Sequence, residues 1–195
     1  MSQAAWPTVP ALSPRAFHHP PLEPLRRLLA RLESAGLRYA LGGSGLLAAL
    51  GLVERVNDWD VNVDAGIDSV VAACGGLEFE RFDHGGCHAD HKLSFERERA
   101  ELIAEFAFFV PGGIVMIPTR VTATWNGIPI GSPTAWAAAY ALMGEAENDE
   151  RRRNRAARLF EWLPSRPPET EVIATLVAQP LPATLAERLA ALTRR

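Results

Sequence analysis

The sequence predicts an α+β protein: a mixed β-sheet flanked by helices, followed by a helical C-terminal extension. Three observations carry this prediction. Helical and strand-like patterns follow one another as α-β-α-β-α in the first part of the chain. The middle then reads as strands joined by tight turns, including Asn126-Gly127, a strong two-residue hairpin signal. The last third returns to helical spacing.

Residues 1–21 carry Pro7, Pro10, Pro14, Pro20 and Pro21, which block regular structure, so an extended arm is expected. Leu22 to Ala35 has leucines at 25, 28, 29 and 32, a helical stripe that Gly36 can end. Leu37 to Leu41 reads as a buried strand. Ser44 can cap a following helix whose apolar residues run from Leu46 to Leu52. Val56 to Asp64 alternates as a strand does, and Ile67 to Cys74 reads as a short helix stopped by Gly75-Gly76.

Leu77 to Phe82, His91 to Arg97, Leu102 to Val110, Ile114 to Ile117 and Arg120 to Trp125 are expected strands. A loop over Asp83 to Asp90 and a turn at Pro111-Gly112-Gly113 separate them. Ser132-Pro133 opens a helix, a cap followed by proline at the first helical position. That helix runs through Trp136 and Tyr140 to about Met143, and a second covers Glu147 to Leu163. Two short helices, Glu169 to Ala178 and Ala183 to Thr193, complete the pattern. The expected division is an arm over 1–21, a main domain over 22–163 and a helical extension over 164–195.

Bulk properties narrow the function. The 195 residues are 48% hydrophobic and 22% charged, the balance of a soluble globular protein. A net charge of −3 does not indicate a broad nucleic-acid-binding face, although a local basic patch stays open. No apolar run approaches the roughly 20 residues of a membrane span. The first residues lack a charged-then-apolar leader pattern, and only Cys74 and Cys87 are present. A reducing cytoplasm is the expected setting.

The chemistry-bearing residues begin with Gly42-Gly43-Ser44, a turn that opens a helix, and Asp58-Trp59-Asp60 beyond it. Alternation on a strand would send Asp58 and Asp60 to one side and Trp59 into the core. Neighbouring carboxylates repel unless a cation lies between them. A hard divalent ion with oxygen ligands suits that need, Mg²⁺ first and Mn²⁺ as the alternative. Beside a glycine turn that can approach phosphate, the pair points to a nucleoside triphosphate. A later acid, Glu105, lies within the apolar run Leu102 to Val110, where a carboxylate is costly unless paired or metal-bound. Glu101 shares its face in a continuous strand and is the second choice. Asn62 and Asp64 extend the Asp60 face and are expected at the solvated periphery.

These residues resemble the signature of the DNA polymerase β-like nucleotidyltransferase superfamily: a Gly-Gly or Gly-Ser turn, a helix-length spacer, Asp-x-Asp and a third acid. Arg55 resembles the basic residue often found before the aspartates in small bacterial members. The stretch Asn126 to Tyr140 is similar to the hairpin-then-helix of aminoglycoside nucleotidyltransferase-like proteins. The resemblance spans roughly residues 22–163. It implies the nucleotidyltransferase fold and Mg²⁺-dependent transfer of a nucleoside monophosphate from an NTP, with ATP expected. The acceptor hydroxyl is unidentified and could belong to a small molecule, a protein or an RNA end. Asp58, Asp60 and Glu105 would be the catalytic carboxylates and metal ligands of a two-metal site. Gly42, Gly43, Ser44 and Arg55 would bind the nucleotide. The alternative is a non-catalytic binding module of the same fold, such as a toxin–antitoxin component.

Other clusters have plainer readings. His84 to His91 holds metal-ligand residue types without a recognisable zinc spacing, so a polar loop is favoured. His91 or Lys92 could instead face the nucleotide or acceptor. Arg151, Arg152, Arg153, Arg155 and Arg158 read as a solvated helix face balanced by nearby acids. The relatives' lysine or arginine near the triphosphate has no clear lysine counterpart there. Trp136 and Tyr140 are expected in the core. A nucleophile elbow and a Walker-type loop are both missing from the sequence.

Overall fold

In the computed structural model, residues 9–13, 16–83 and 91–194 are described. They group into two compact units, each drawn from separate stretches of chain.

The first unit is built on a seven-stranded mixed sheet. Helix α1 (Leu22–Ser34) buries the predicted stripe of Leu25, Leu28, Leu29 and Leu32. It is followed by β1 (Tyr39–Leu41), α2 (Gly43–Leu50), β2 (Trp59–Val63) and α3 (Ile67–Ala73). Strands β3 (Glu80–Asp83), β4 (His91–Phe95) and β5 (Ala100–Ala104) come next. A hairpin of β8 (Val121–Trp125) and β9 (Ile128–Gly131) completes this unit. The strand order is β3-β4-β5-β2-β1-β9-β8. Strand β2 runs antiparallel to β1 and parallel to β5. Asn126 and Gly127 have φ of +49° and +77°, the left-handed pair that a tight hairpin requires.

Alternation divides the sheet into two faces. One carries Trp59, Val61, Val63, Leu93, Phe95, Leu102 and Ala104, all buried. The other carries Asp60, Asn62, Glu101, Lys92 and Ser94. The described part of the arm lies without helix along this unit, bridging Ala11 to Thr124 and His18 to Arg55. Phe17 stacks on Trp125 at 5.0 Å, and His19 lies 5.5 Å from Trp59.

The second unit contains a separate two-stranded sheet, β6 (Ala107–Val110) and β7 (Gly113–Met116), and the C-terminal helices. These are α4 (Pro133–Ala146), α5 (Glu150–Trp162), α6 (Thr170–Val177) and α7 (Ala183–Ala191), with a short 3-10 turn at Leu163–Ser165. The unit therefore takes in α4 and α5, which the sequence pattern grouped with the main domain. Ser132 caps α4 as expected: its Oγ accepts from Ala135 N–H at 3.0 Å and donates to Glu169 at 2.6 Å. Trp136 and Tyr140 are core residues, 5.3 Å apart between ring centres. The Gln179 side-chain amide bonds both the N–H and the C=O of Met116, covering the edge of β7 as a neighbouring strand would.

The expected cap of α2 and the expected strand over Leu102 to Val110 both change. Helix α2 starts at Gly43 with Gly42 as its N-cap, and Ser44 makes no side-chain cap. Glycine's left-handed backbone at position 43 lets the helix begin directly after β1. The single strand expected over Leu102 to Val110 is broken into β5 and β6, which belong to different sheets. Glu105 has φ of +51° at the break, a conformation that no continuous strand can hold.

Candidate functional site

The site is built around the meeting of α2 with β2. Gly43 has φ of +52°, and a β-carbon added there would lie 1.7 Å from Asp60 Oδ2. Only glycine lets the backbone come this close to the carboxylate. Gly42 N–H donates to the Asp60 carbonyl at 2.8 Å, tying the turn to β2. Ser44 is buried in the first turn of α2. The first backbone N–H groups of a helix have no partner within it, so this end can receive anionic oxygen.

Asp60 is half-buried on β2. Its register partner on the parallel neighbour β5 is Glu101. Partners in register project from the same face on strands about 4.8 Å apart, so the two carboxylates stand side by side. Asp58 is exposed in the bend one residue ahead of β2, so it is not on the strand where alternation was expected to pair it with Asp60. Trp59, between them, is fully buried on the opposite face, as the alternation predicts.

Glu105 is placed elsewhere. It follows Ala104, the register partner of Val63, roughly 13 Å along the strand direction from Glu101. It accepts from Ile67 N–H at 3.4 Å at the start of α3, and His91 Nε2 is 3.9 Å away. The structure therefore brings Asp60 together with Glu101 and not with Glu105. The apolar company of Glu105 in the sequence belongs to two different strands. Glu101 was visible as an acid two residues ahead of Ile103 on an alternating strand, but its partner depends on register.

Lys92 completes this row. On β4, Ser94 is opposite Glu101 and Lys92 is opposite Ile103, so Lys92 shares the carboxylate face. Its Nζ lies 3.6 Å from Glu101 Oε2, with the two side chains 24% and 32% exposed. Asn62, two residues beyond Asp60 on this face, is only 3% exposed, and its Oδ1 has no hydrogen-bond partner among the described residues. It was expected at the solvated periphery. Asp64, exposed beyond the end of β2, is paired with Arg38 at 2.6 Å. Arg55 is exposed, and the flanking backbone is held by His18 through its bonds to Glu54 and Val56.

A second polar cluster lies at the far end of β4. His91 Nδ1 is 2.7 Å from Asp83 Oδ1, and Arg81 Nε donates to both Asp83 oxygens at 3.0 and 3.1 Å. The bonds from His91 and then Arg81 hold the Asp83 carboxyl below its usual range. His84, Cys87, His88 and Asp90 lie outside the described residues. Cys74 is fully buried, and burial pushes its thiol up to about 11, which makes it inert as a nucleophile. On α5, Arg152 pairs with Glu147 and Asp149, while Arg155 lies over Tyr140. These contacts occupy part of the basic cluster within its own unit.

Among the described residues, no three of His, Cys, Asp and Glu converge as a ready-made metal cage. No helix there is long and apolar enough to cross a membrane.

No family model and no curated protein matches the chain. Its fold is similar to the crystal structure of a candidate nucleotidyltransferase from Thermotoga maritima, with a TM-score of 0.51 and 21% identity. The match covers 74% of this chain and 93% of that one. At this identity the likeness shows the fold, which is the nucleotidyltransferase fold.

Proposed function

We propose that the protein transfers a nucleoside monophosphate from an NTP, with ATP expected, to an acceptor hydroxyl. The observation that carries this reading is the juxtaposition of Asp60 and Glu101 beside the glycine start of α2. Asp60, Glu101 and Asp58 replace the Asp58, Asp60 and Glu105 set that the sequence pattern favoured, because register puts Glu101 next to Asp60.

The residues present fit a divalent cation. The donors are hard carboxylate oxygens, and the buried Asn62 Oδ1, without a hydrogen-bond partner among the described residues, adds another oxygen on the same face. Mg²⁺ is commonly held by one or two carboxylates together with substrate phosphates, so a full protein cage is not required. Asp60 and Glu101 would hold the ion, with Asp58 at the rim. When bound, it would neutralise phosphate charge and lower the pKa of the acceptor hydroxyl.

The chain's own groups have distinct tasks. Backbone N–H groups at Gly43 and Ser44 bind terminal phosphate oxygens at the start of α2. The absent side chain at Gly43 leaves room for the Asp60 carboxylate itself, which occupies the space a β-carbon would take at the start of α2. Arg55, exposed at the approach to β2, would add a positive charge for the incoming nucleotide. The carboxylate row orients the acceptor, whose oxygen bonds to the α-phosphorus as pyrophosphate leaves. The hydroxyl proton passes to the row or to solvent. The near-neutral net charge of −3 supports a small-molecule or protein acceptor over a long nucleic acid, in line with the aminoglycoside nucleotidyltransferase-like resemblance.

Thermal melting of wild type and Asp60→Asn with each NTP, with and without Mg²⁺, tests the reading. A ligand that binds the native state raises the melting temperature. The expected result is a Mg²⁺-dependent rise in wild type that Asp60→Asn reduces. No rise with any nucleotide would favour a binding module that has kept the fold without the activity.

A further inference from the structure

We propose that Lys92 is a resident counter-cation for the carboxylate row, holding Glu101 until a divalent cation arriving with nucleotide displaces it. This inference rests on the transferase reading above and adds to it a means of coupling metal to nucleotide.

Two carboxylates in register on adjacent strands repel each other. In the protein alone, the Lys92 ammonium lies 3.6 Å from Glu101 Oε2 and offsets part of that repulsion. The geometry follows from β4, where Lys92 lies diagonally across from Glu101, within reach of a long side chain. Both side chains are less than one-third exposed, so solvent only partly screens the pair. A cation that takes Glu101 must therefore displace Lys92 or accept its repulsion. Nucleotide phosphates offer the released ammonium a new anionic partner. Metal alone is then held weakly, and metal with nucleotide is held cooperatively. Such coupling is reciprocal, since each ligand strengthens the other by the same factor.

The test is Mn²⁺ binding to the full-length protein by electron paramagnetic resonance, with and without a non-hydrolysable ATP analogue. Wild type is compared with Lys92→Gln, Lys92→Met and Lys92→Arg. Without nucleotide, the Gln and Met variants are expected to bind Mn²⁺ roughly five-fold more tightly, the scale of one partly exposed ion pair. The gain conferred by the analogue should shrink in both, and Lys92→Arg should behave as wild type. Damage to the fold would weaken binding, the opposite direction. Lys92→Met keeps the aliphatic stem, so the comparison survives if the Gln variant does not fold. Unchanged or weaker Mn²⁺ binding in folded neutral variants, with wild type binding normally, overturns the role of Lys92 alone. If wild type binds no Mn²⁺ even with the analogue, the transferase reading falls and this inference with it.

Discussion

Gly43 and Asp60 approach so closely that any β-carbon at position 43 would overlap the carboxylate, with 1.7 Å to Oδ2. The left-handed backbone at Gly43, φ +52°, adds a second reason for glycine. Gly43→Ala is expected to destabilise the protein by at least about 1–2 kcal/mol from backbone strain alone. On the proposed reading it should also abolish any Mg²⁺- and nucleotide-dependent rise in melting temperature. Urea unfolding measures the first effect and thermal melting the second. A variant as stable as wild type would contradict the contact.

Glu101 and Glu105 give opposite expectations. On the proposed reading, Glu101→Gln should lower nucleotidyl transfer by about a hundred-fold or more, the scale of losing a charge that stabilises the transition state. Glu105→Gln should retain most of the activity, since Glu105 lies beyond β5 and contacts Ile67 and His91. Pyrophosphate release under single-turnover conditions separates the two. The reverse order would return the third-acid role to Glu105.

The Asp83 pair has an acid-side signature. The bonds from His91 and Arg81 depress the folded pKa of Asp83 below its ordinary 3.8. Its stabilising contribution is therefore complete above that unfolded value and is lost as pH falls through the lower folded value. Asp83→Asn should be less stable than wild type near neutrality, and the difference should close at strongly acid pH. Urea midpoints measured across the acid range check this. A gap that widens in acid would have the wrong sign.

Ser132 serves two bonds at the start of α4, accepting from Ala135 N–H and donating to Glu169. Glu169 also accepts from Thr134 N–H at 3.0 Å. Ser132→Ala should cost about 1–2 kcal/mol, at the upper part of the range for a lost cap. Chemical denaturation monitored by circular dichroism reads the change.

Much of the fold was legible because its signals are local. The leucine stripe of α1, the Asn126-Gly127 turn and the Ser132-Pro133 helix start each act within a few residues. Trp59 could be assigned to the core because strand alternation is also local. The break at Glu105 was hidden, since two apolar strands of different sheets adjoin with only Glu105 and Phe106 between them.

The sequence by itself determined the α+β class, a glycine turn between β1 and the body of α2, and Asp60 as a site candidate, because short-range backbone preference and alternation specify them. Only the tertiary structure decided which acid stands next to Asp60. That choice depends on the parallel register of β2 and β5, whose paired residues Asp60 and Glu101 are far apart in sequence. The same register across β4 brings Lys92 to Glu101. Register is an agreement between distant strands about which faces are buried, and a single strand's pattern cannot state it.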